Sequence, residues 1–470
     1  MNNKGKVTIF LCLFMSALLC LITTTYDVSN LYAAKAKVAM ATRTALSCVK
    51  AEYNQYIFDQ YHILLFDMNN EGLGRGGVEE KIEKNLQENL GDGFTVNEVA
   101  IIEEKGLLDD DYSNFKKQIK EIVPYVEAES CIDKLQEETG GKDGKLPDDV
   151  VYDMDAAENE KTEEAEEKEE TEDKPHGKKK KDPRKFTKKL KTSGLLKIVA
   201  PTDLEINSTC IDLSDTVSVR HGKTSSFFEQ ANMEFDDYDA LKKDLNNHAS
   251  WSEQLINAGE GVIYASKVFN CAVGEKKNDT TVFDFEQEYL ICGYSSDYQN
   301  LKNVVNRLVA IRFPLDYVCL VKDASKMTIL YDIAFPLSFL TMIPASVLKY
   351  LLAGGWAYVE AIADVRQLLH GRKIEFVKRS ENWITDIDNL GDSVMSDVDS
   401  EKGMDYSEYL LILLAIEKSN IYNRMLDLIE MNTRLVDEDF SLDNCAIFVG
   451  VDVEVSFGGR KIYVNESFEY

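Results

Sequence analysis

The feature that most constrains this chain is an uncharged run of about twenty residues near its start, Val7 to Tyr26 (VTIFLCLFMSALLCLITTTY). At 1.5 Å per residue a helix of that length crosses a hydrocarbon core of about 30 Å, so the run predicts one transmembrane helix over 7–26. The basic leader, residues 1–6 with Lys4 and Lys6, places the amino terminus in the cytoplasm and everything beyond Asp27 outside. A cleaved secretory signal is the rival reading, with Ala34-Lys35-Ala36 as its cleavage site.

No glycine or proline interrupts the chain from Val7 to Asn70, so the helix is expected to continue outward as a stalk over 27–66. Along it Leu31, Ala34, Val38, Ala41, Ala45 and Cys48 recur at alternating spacings of three and four, a narrow seam of mostly small residues that suits close helix contact. The seam packs either on the chain's own globular part or on another molecule.

The remainder predicts an α+β ectodomain of mixed helices and antiparallel sheet. Residues 67–135 form its first part, with a helix over 78–90, a strand over 94–103 and a helix over 112–125. A charged, disordered linker is expected over 136–193, because an acidic block (Asp153 to Asp173) and a basic block (Lys174 to Lys191) contain few apolar side chains to offset their ordering entropy. The second part, 194–470, contains a strand over 282–294 and helices through most of 300–435. It closes in a β-hairpin, where alternation from Ile447 to Phe457 meets Gly458-Gly459. Both parts are expected to share one sheet in a single composite domain. The apolar stretch Ile333 to Leu352 is broken by Pro336, Pro344 and Lys349, and reads as buried helices joined at proline rather than as a second span.

Chemical motifs are sparse. Glu360 and Asp364 lie four apart on one face of an apolar helix, with Arg366 beside them. They serve as buried ion pairs or caps, or as a carboxylate pair for acid–base or metal work. The first reading is preferred, since no histidine stands at ligand spacing. Gly72-x-Gly74-x-x-Gly77 lacks a βαβ unit, and the calcium-like start at Asp67 has Val78 where the bidentate Glu belongs. The five histidines are isolated and the nine cysteines scattered without a CxxC pair. No catalytic residue, cofactor or metal is therefore expected. A formal net charge of −29 argues against nucleic acid as a partner.

The leader ending at Gly5, followed by Lys6-Val-Thr-Ile-Phe-Leu and a membrane helix extended into the exterior, resembles pilin-like proteins and TadE/TadG-type pseudopilins. The fifth residue counted from Lys6 is Phe10, where processed pilins carry Glu. The blocks KGKVTIFLCLF (4–14), AEYNQY and DQYHILLFD (51–67), YLICGYSSDYQNLKNVVNRLVAIR (289–312), WAYVEAIADVRQLLHGRKIEFVK (356–378), DYSEYLLILLAIEK and YNRMLDLIEMN (405–432) resemble a bacterial family of uncharacterised membrane-anchored proteins often encoded with tight-adherence (Tad) pilus systems. The resemblance implies a structural or assembly component of a Tad-type pilus or adhesion system, with the lipid bilayer and other pilus or surface-assembly proteins as partners. A membrane-anchored sensor or adaptor is the alternative, and a surface hydrolase a more distant one.

Overall fold

The computed structural model describes residues 3–69, 74–123, 183–184, 186–187, 194–222, 251–398, 402–417 and 420–470, with side chains from Val7 onward at the amino end. The chain divides into two compact units: residues 1–118 with 437–470, and residues 119–436.

The first unit is built on α1 (Asn3–Lys50), one continuous helix of 48 residues. Its first half is apolar and exposed all round, from Val7 to Asn30. It is long and apolar enough to cross a membrane. From Leu31 onward one face is covered by α3 (Gly74–Leu90) and by a three-stranded antiparallel sheet in the order β2 (Phe94–Lys105), β4 (Phe448–Phe457), β5 (Arg460–Glu469). Two short elements, α2 (Gln55–Tyr61) and β1 (Phe66–Asp67), follow α1, and β1 pairs with β3 (Cys445–Ala446). The last element from the first sequence segment is α4 (Asp109–Ile122).

Alternation dictates the sheet. Val449, Val451, Val453 and Val455 of β4 point into a core that also holds Ala34, Val38, Ala41, Ala45 and Val49 of α1 and Ile82 and Leu86 of α3. The hairpin turns at Gly458 (φ 55) and Gly459 (φ 77), the left-handed conformation that a two-residue turn demands and that glycine adopts without steric cost. As expected from sequence, β2 and the terminal hairpin share one sheet.

The second unit is helical among its described residues. It contains α5 (Leu195–Val199), α6 (Val217–Arg220), α7 (Trp251–Val268), α8 (Glu286–Cys292), α9 (Asp297–Lys322), α10 (Ala324–Thr341), α11 (Ala345–Leu369), α12 (Leu390–Val394), α13 (Tyr406–Ile416) and α14 (Ile421–Arg434). Its centre is α11, buried without interruption from Leu352 to Val365 and packed on α9 and α10. An Asp405–Glu408 capping box starts α13, and Ser296 caps α9 by accepting from the Gln299 amide.

Five expectations need correction. The stalk helix ends at Lys50 rather than running to residue 66, because the Asn54 carboxamide accepts the Ile57 amide and caps α2 instead of continuing α1. The segment 282–294 is an irregular lead-in followed by helix α8 and not a strand: residues 286–292 are buried on all sides, where a period of two carries no information, and Gly293 at φ 75 closes the helix. The single composite domain expected beyond the apolar helix is two units, with 119–436 inserted in sequence between the strands of the first. The linker expected over 136–193 lies largely outside the described residues, but Pro183 and Thr187 at its carboxyl end are buried. There the Thr187 hydroxyl donates to the Gly355 carbonyl at 3.3 Å, and a Cβ on Gly355 would sit 3.4 Å from the Arg184 amide nitrogen, so glycine on α11 lets this backbone approach. Finally, the apolar stretch 333–352 is only partly buried. Ile333, Ala334, Leu348 and Leu352 are inside, whereas Phe335, Phe339, Leu340, Met342 and Val347 are exposed around a 115° bend between α10 and α11.

Candidate functional site

The sequence singled out two groups of residues. In the first unit, Ala34, Val38, Ala41 and Ala45 of the seam are buried and Leu31 is half-buried, all against the unit's own sheet and α3. Cys48 is exposed and departs from the seam, and Thr42, Leu46 and Val49 complete the buried face instead. The 3.6-residue turn explains the difference, since a strict alternation of three and four drifts off one face within two heptads. What the seam does here is fix α1 to the sheet.

In the second unit Glu360 and Asp364 meet a buried cluster that no local spacing announces. Arg312 of α9 donates through Nε (3.0 Å) and Nη2 (2.8 Å) to Asp364 Oδ2, and through Nη2 to Asp316 Oδ1 at 3.0 Å. Its Nη1 bonds the carbonyls of Glu375 and Phe376 and the Tyr409 hydroxyl. Lys378 bridges Asp364 Oδ1 at 2.5 Å and Glu360 Oε1. Glu360 also accepts from the amides of Ile384 and Thr385 and from the Thr385 hydroxyl, which in turn accepts from the Trp356 indole. Arg366 stands apart: it pairs with half-exposed Asp397 at 2.8 Å.

Arg312, Asp316, Glu360 and Asp364 are fully buried, and Lys378 is nearly so. Three carboxyls therefore face two cations in a medium of low dielectric. Burial holds the Asp316 carboxyl well above its ordinary range, with Arg312 opposing, and Asp316 Oδ2 has no hydrogen-bond partner. A proton on Asp316 would leave two carboxylates against two cations. Each remaining charge is consumed by a partner, which suits a rigid joint between α9, α11 and the 375–385 segment rather than proton transfer to a bound molecule. A cleft of about 370 Å³ opens beside it, lined by Val318, Cys319, Lys322, Asp323, Lys378 and Ser380 among others. There Asp323 and Lys326 pair at 2.7 Å and Ser380 donates to Asp323, so its polar groups also satisfy one another.

Three further buried carboxyls, on two helices, have no counterpart among the residues the sequence singles out. On α8, Glu286 accepts from the Asn270 amide and the Asn432 carboxamide, and Glu288 from the Tyr406 hydroxyl and the Ala272 amide. Burial pushes both carboxyls up to about 7. On α14, Asp427 accepts the amide and hydroxyl of Ser218, and burial raises it to about 6. The signal that could have found Arg312 is its place inside LVAIRFPL (308–315), where a lone cation in an apolar run requires a buried counter-charge. Among the described residues no group of three or more His, Cys, Asp and Glu is arranged to hold a metal ion. The calcium-like loop after Asp67 falls partly outside those residues.

The model of a family of unknown function, DUF5702, matches residues 173–457. No curated protein and no solved structure matches the chain.

Proposed function

The chain belongs to this family of unknown function, whose model covers more than half of it, and on that premise we propose that it is a membrane-anchored cell-surface protein acting as a pseudopilin-like structural or assembly component of a Tad-type pilus or adhesion system. The observation that carries this reading is the division of labour along α1. Its first half is exposed and apolar, fit for a bilayer or a bundle of like helices, while its second half is fixed along an antiparallel sheet with α3. An anchor joined without a break to a rigid head transmits the orientation of one to the other, which an assembling subunit requires and a flexibly tethered enzyme does not.

The anchor lies with Lys4 and Lys6 on the cytoplasmic side and the bulk of the chain outside, following the positive-inside bias. The buried ion pairs that join Arg312, Asp364, Lys378 and Glu360 in the second unit support a structural role. The test is deletion of the gene together with pull-down of a carboxyl-terminally tagged chain from cross-linked cells. Loss of surface pili and recovery of pilus assembly components with the tagged chain are expected. Normal piliation with no such components recovered would overturn the reading.

A further inference from the structure

The bend between α10 and α11 leaves an apolar tip that no other described residue of its unit covers. From Ile333 to Leu348 about sixteen residues carry no charge. Phe339 is 73% and Met342 87% exposed, with Phe335, Leu340 and Val347 each more than half exposed beside them. On α10, Tyr331, Phe335 and Phe339 follow one another at intervals of four, with ring centroids 6.3 Å and 5.4 Å apart, so they form a continuous aromatic ridge. Tyr331 and Tyr350 stand at the two shoulders of the tip, and the Lys349 ammonium lies over the Tyr350 ring at 4.9 Å.

We propose that this α10–α11 tip is a second membrane contact, inserted into the acyl–headgroup boundary of a lipid bilayer. Composition separates it from an ordinary protein-docking patch: a hydrocarbon-facing core of Phe, Leu, Met and Val is bounded by tyrosines and a lysine, the order in which side chains meet a membrane interface. The molecule carries a bilayer-length apolar helix in α1, so a membrane is already within its reach. Depth follows from geometry. The exposed end of α10, Phe335 to Thr341, is about 10 Å long at 1.5 Å per residue, too short to span and suited to burial of about 5–10 Å. The turn at Met342–Pro344 interrupts the helix and keeps the tip at the interface, since irregular backbone is not tolerated against lipid at greater depth. The inference requires only that the chain reach a bilayer and is independent of the pilus reading.

The test uses the full chain in liposomes containing mid-acyl brominated phosphatidylcholine. Phe339→Trp places an indole on the ridge at a site too exposed to disturb packing, and the parent chain supplies the background from Trp251, Trp356 and Trp383. Tyr463→Trp, on an exposed position of β5, is the aqueous control. A loss of about half the emission of the indole at position 339 to brominated lipid, with shielding from iodide, is expected for burial at this depth. The control should be quenched by iodide and not by bromine. Iodide quenching at position 339 without bromine quenching would overturn the proposal. Shielding from both quenchers, with self-association that rises with protein density in the liposome, would overturn it in favour of a second copy.

Discussion

Single side chains in the buried cluster respond differently to the same chemical change. Asp364 accepts from Arg312 on one oxygen and from Lys378 on the other, so an amide there turns its NH2 toward a cation. Asp364→Asn is expected to cost about 3–5 kcal/mol, the usual consequence of uncompensating a buried ion pair. Burial raises the Asp316 carboxyl and leaves its Oδ2 without a hydrogen-bond partner, so Asp316→Asn, which keeps an acceptor for Arg312, should change stability by under about 1 kcal/mol. Urea unfolding followed by Trp fluorescence measures both, and equal losses would mean that Asp316 is ionised in the fold. Glu286 and Glu288 provide a pH signature. Their folded values near 7 exceed the ordinary carboxyl range, so between about 4.5 and 7 the folded chain holds protons that the unfolded chain has released. Their stabilising contribution is complete below that window and disappears as pH rises through 7. Glu288→Gln, which keeps an acceptor for Tyr406 and Ala272, should therefore flatten the dependence of the urea midpoint on pH between 5 and 8. Parallel profiles for parent and variant would remove Glu288 from the account.

At the scale of elements, α1 is decided by which of its faces is covered. Ala45 is fully buried against the sheet, whereas Cys48, three residues on, is exposed. A lysine at Ala45 must both overpack the core and bury a charge, so Ala45→Lys should destabilise the first unit by about 3 kcal/mol or more. Cys48→Lys should leave its melting temperature unchanged. If Ala45→Lys leaves the fold intact and only abolishes association with pilus proteins, the seam is an intermolecular surface and its burial here is not what matters. The contrast also marks what the sequence could convey. Strand β4 and its hairpin are legible because one face is wet and the other dry, so polarity alternates. Helix α8 is not, since Glu286 to Cys292 is buried all round and two of its buried side chains are carboxylates. Glu360 and Asp364 were visible as a pair on one helix face, but Arg312 and Lys378 reach them from 52 and 14 residues away, and only folding supplies that proximity.

At the scale of the whole molecule, the insertion of 119–436 between β2 and β4 makes the closing of the first sheet depend on where the second unit begins and ends. The charged segment bears directly on that question. Its acidic block, Asp153 to Asp173, ends at the residue where the family match begins, and its basic block falls within the match. Within the basic block, Pro183 and Thr187 are buried against α11, where Gly355 leaves room for this backbone. The carboxyl end of the basic block is therefore part of what the fold needs. Replacing residues 141–173 by a short Gly/Ser bridge should leave the melting temperature of the full chain within about 2 °C of the parent, because so charged a stretch has few apolar side chains to contribute to a core. Extending the same deletion through Thr187 removes the cover over Gly355 and exposes the surrounding apolar surface of α11, and a loss of about 1–3 kcal/mol is expected. Calorimetry of the two deletions in the same detergent measures the difference. If both melt like the parent, the 183–187 contact contributes nothing to the fold; if the shorter deletion already abolishes cooperative melting, the acidic block is part of the structure and the boundary moves to the amino side of residue 141.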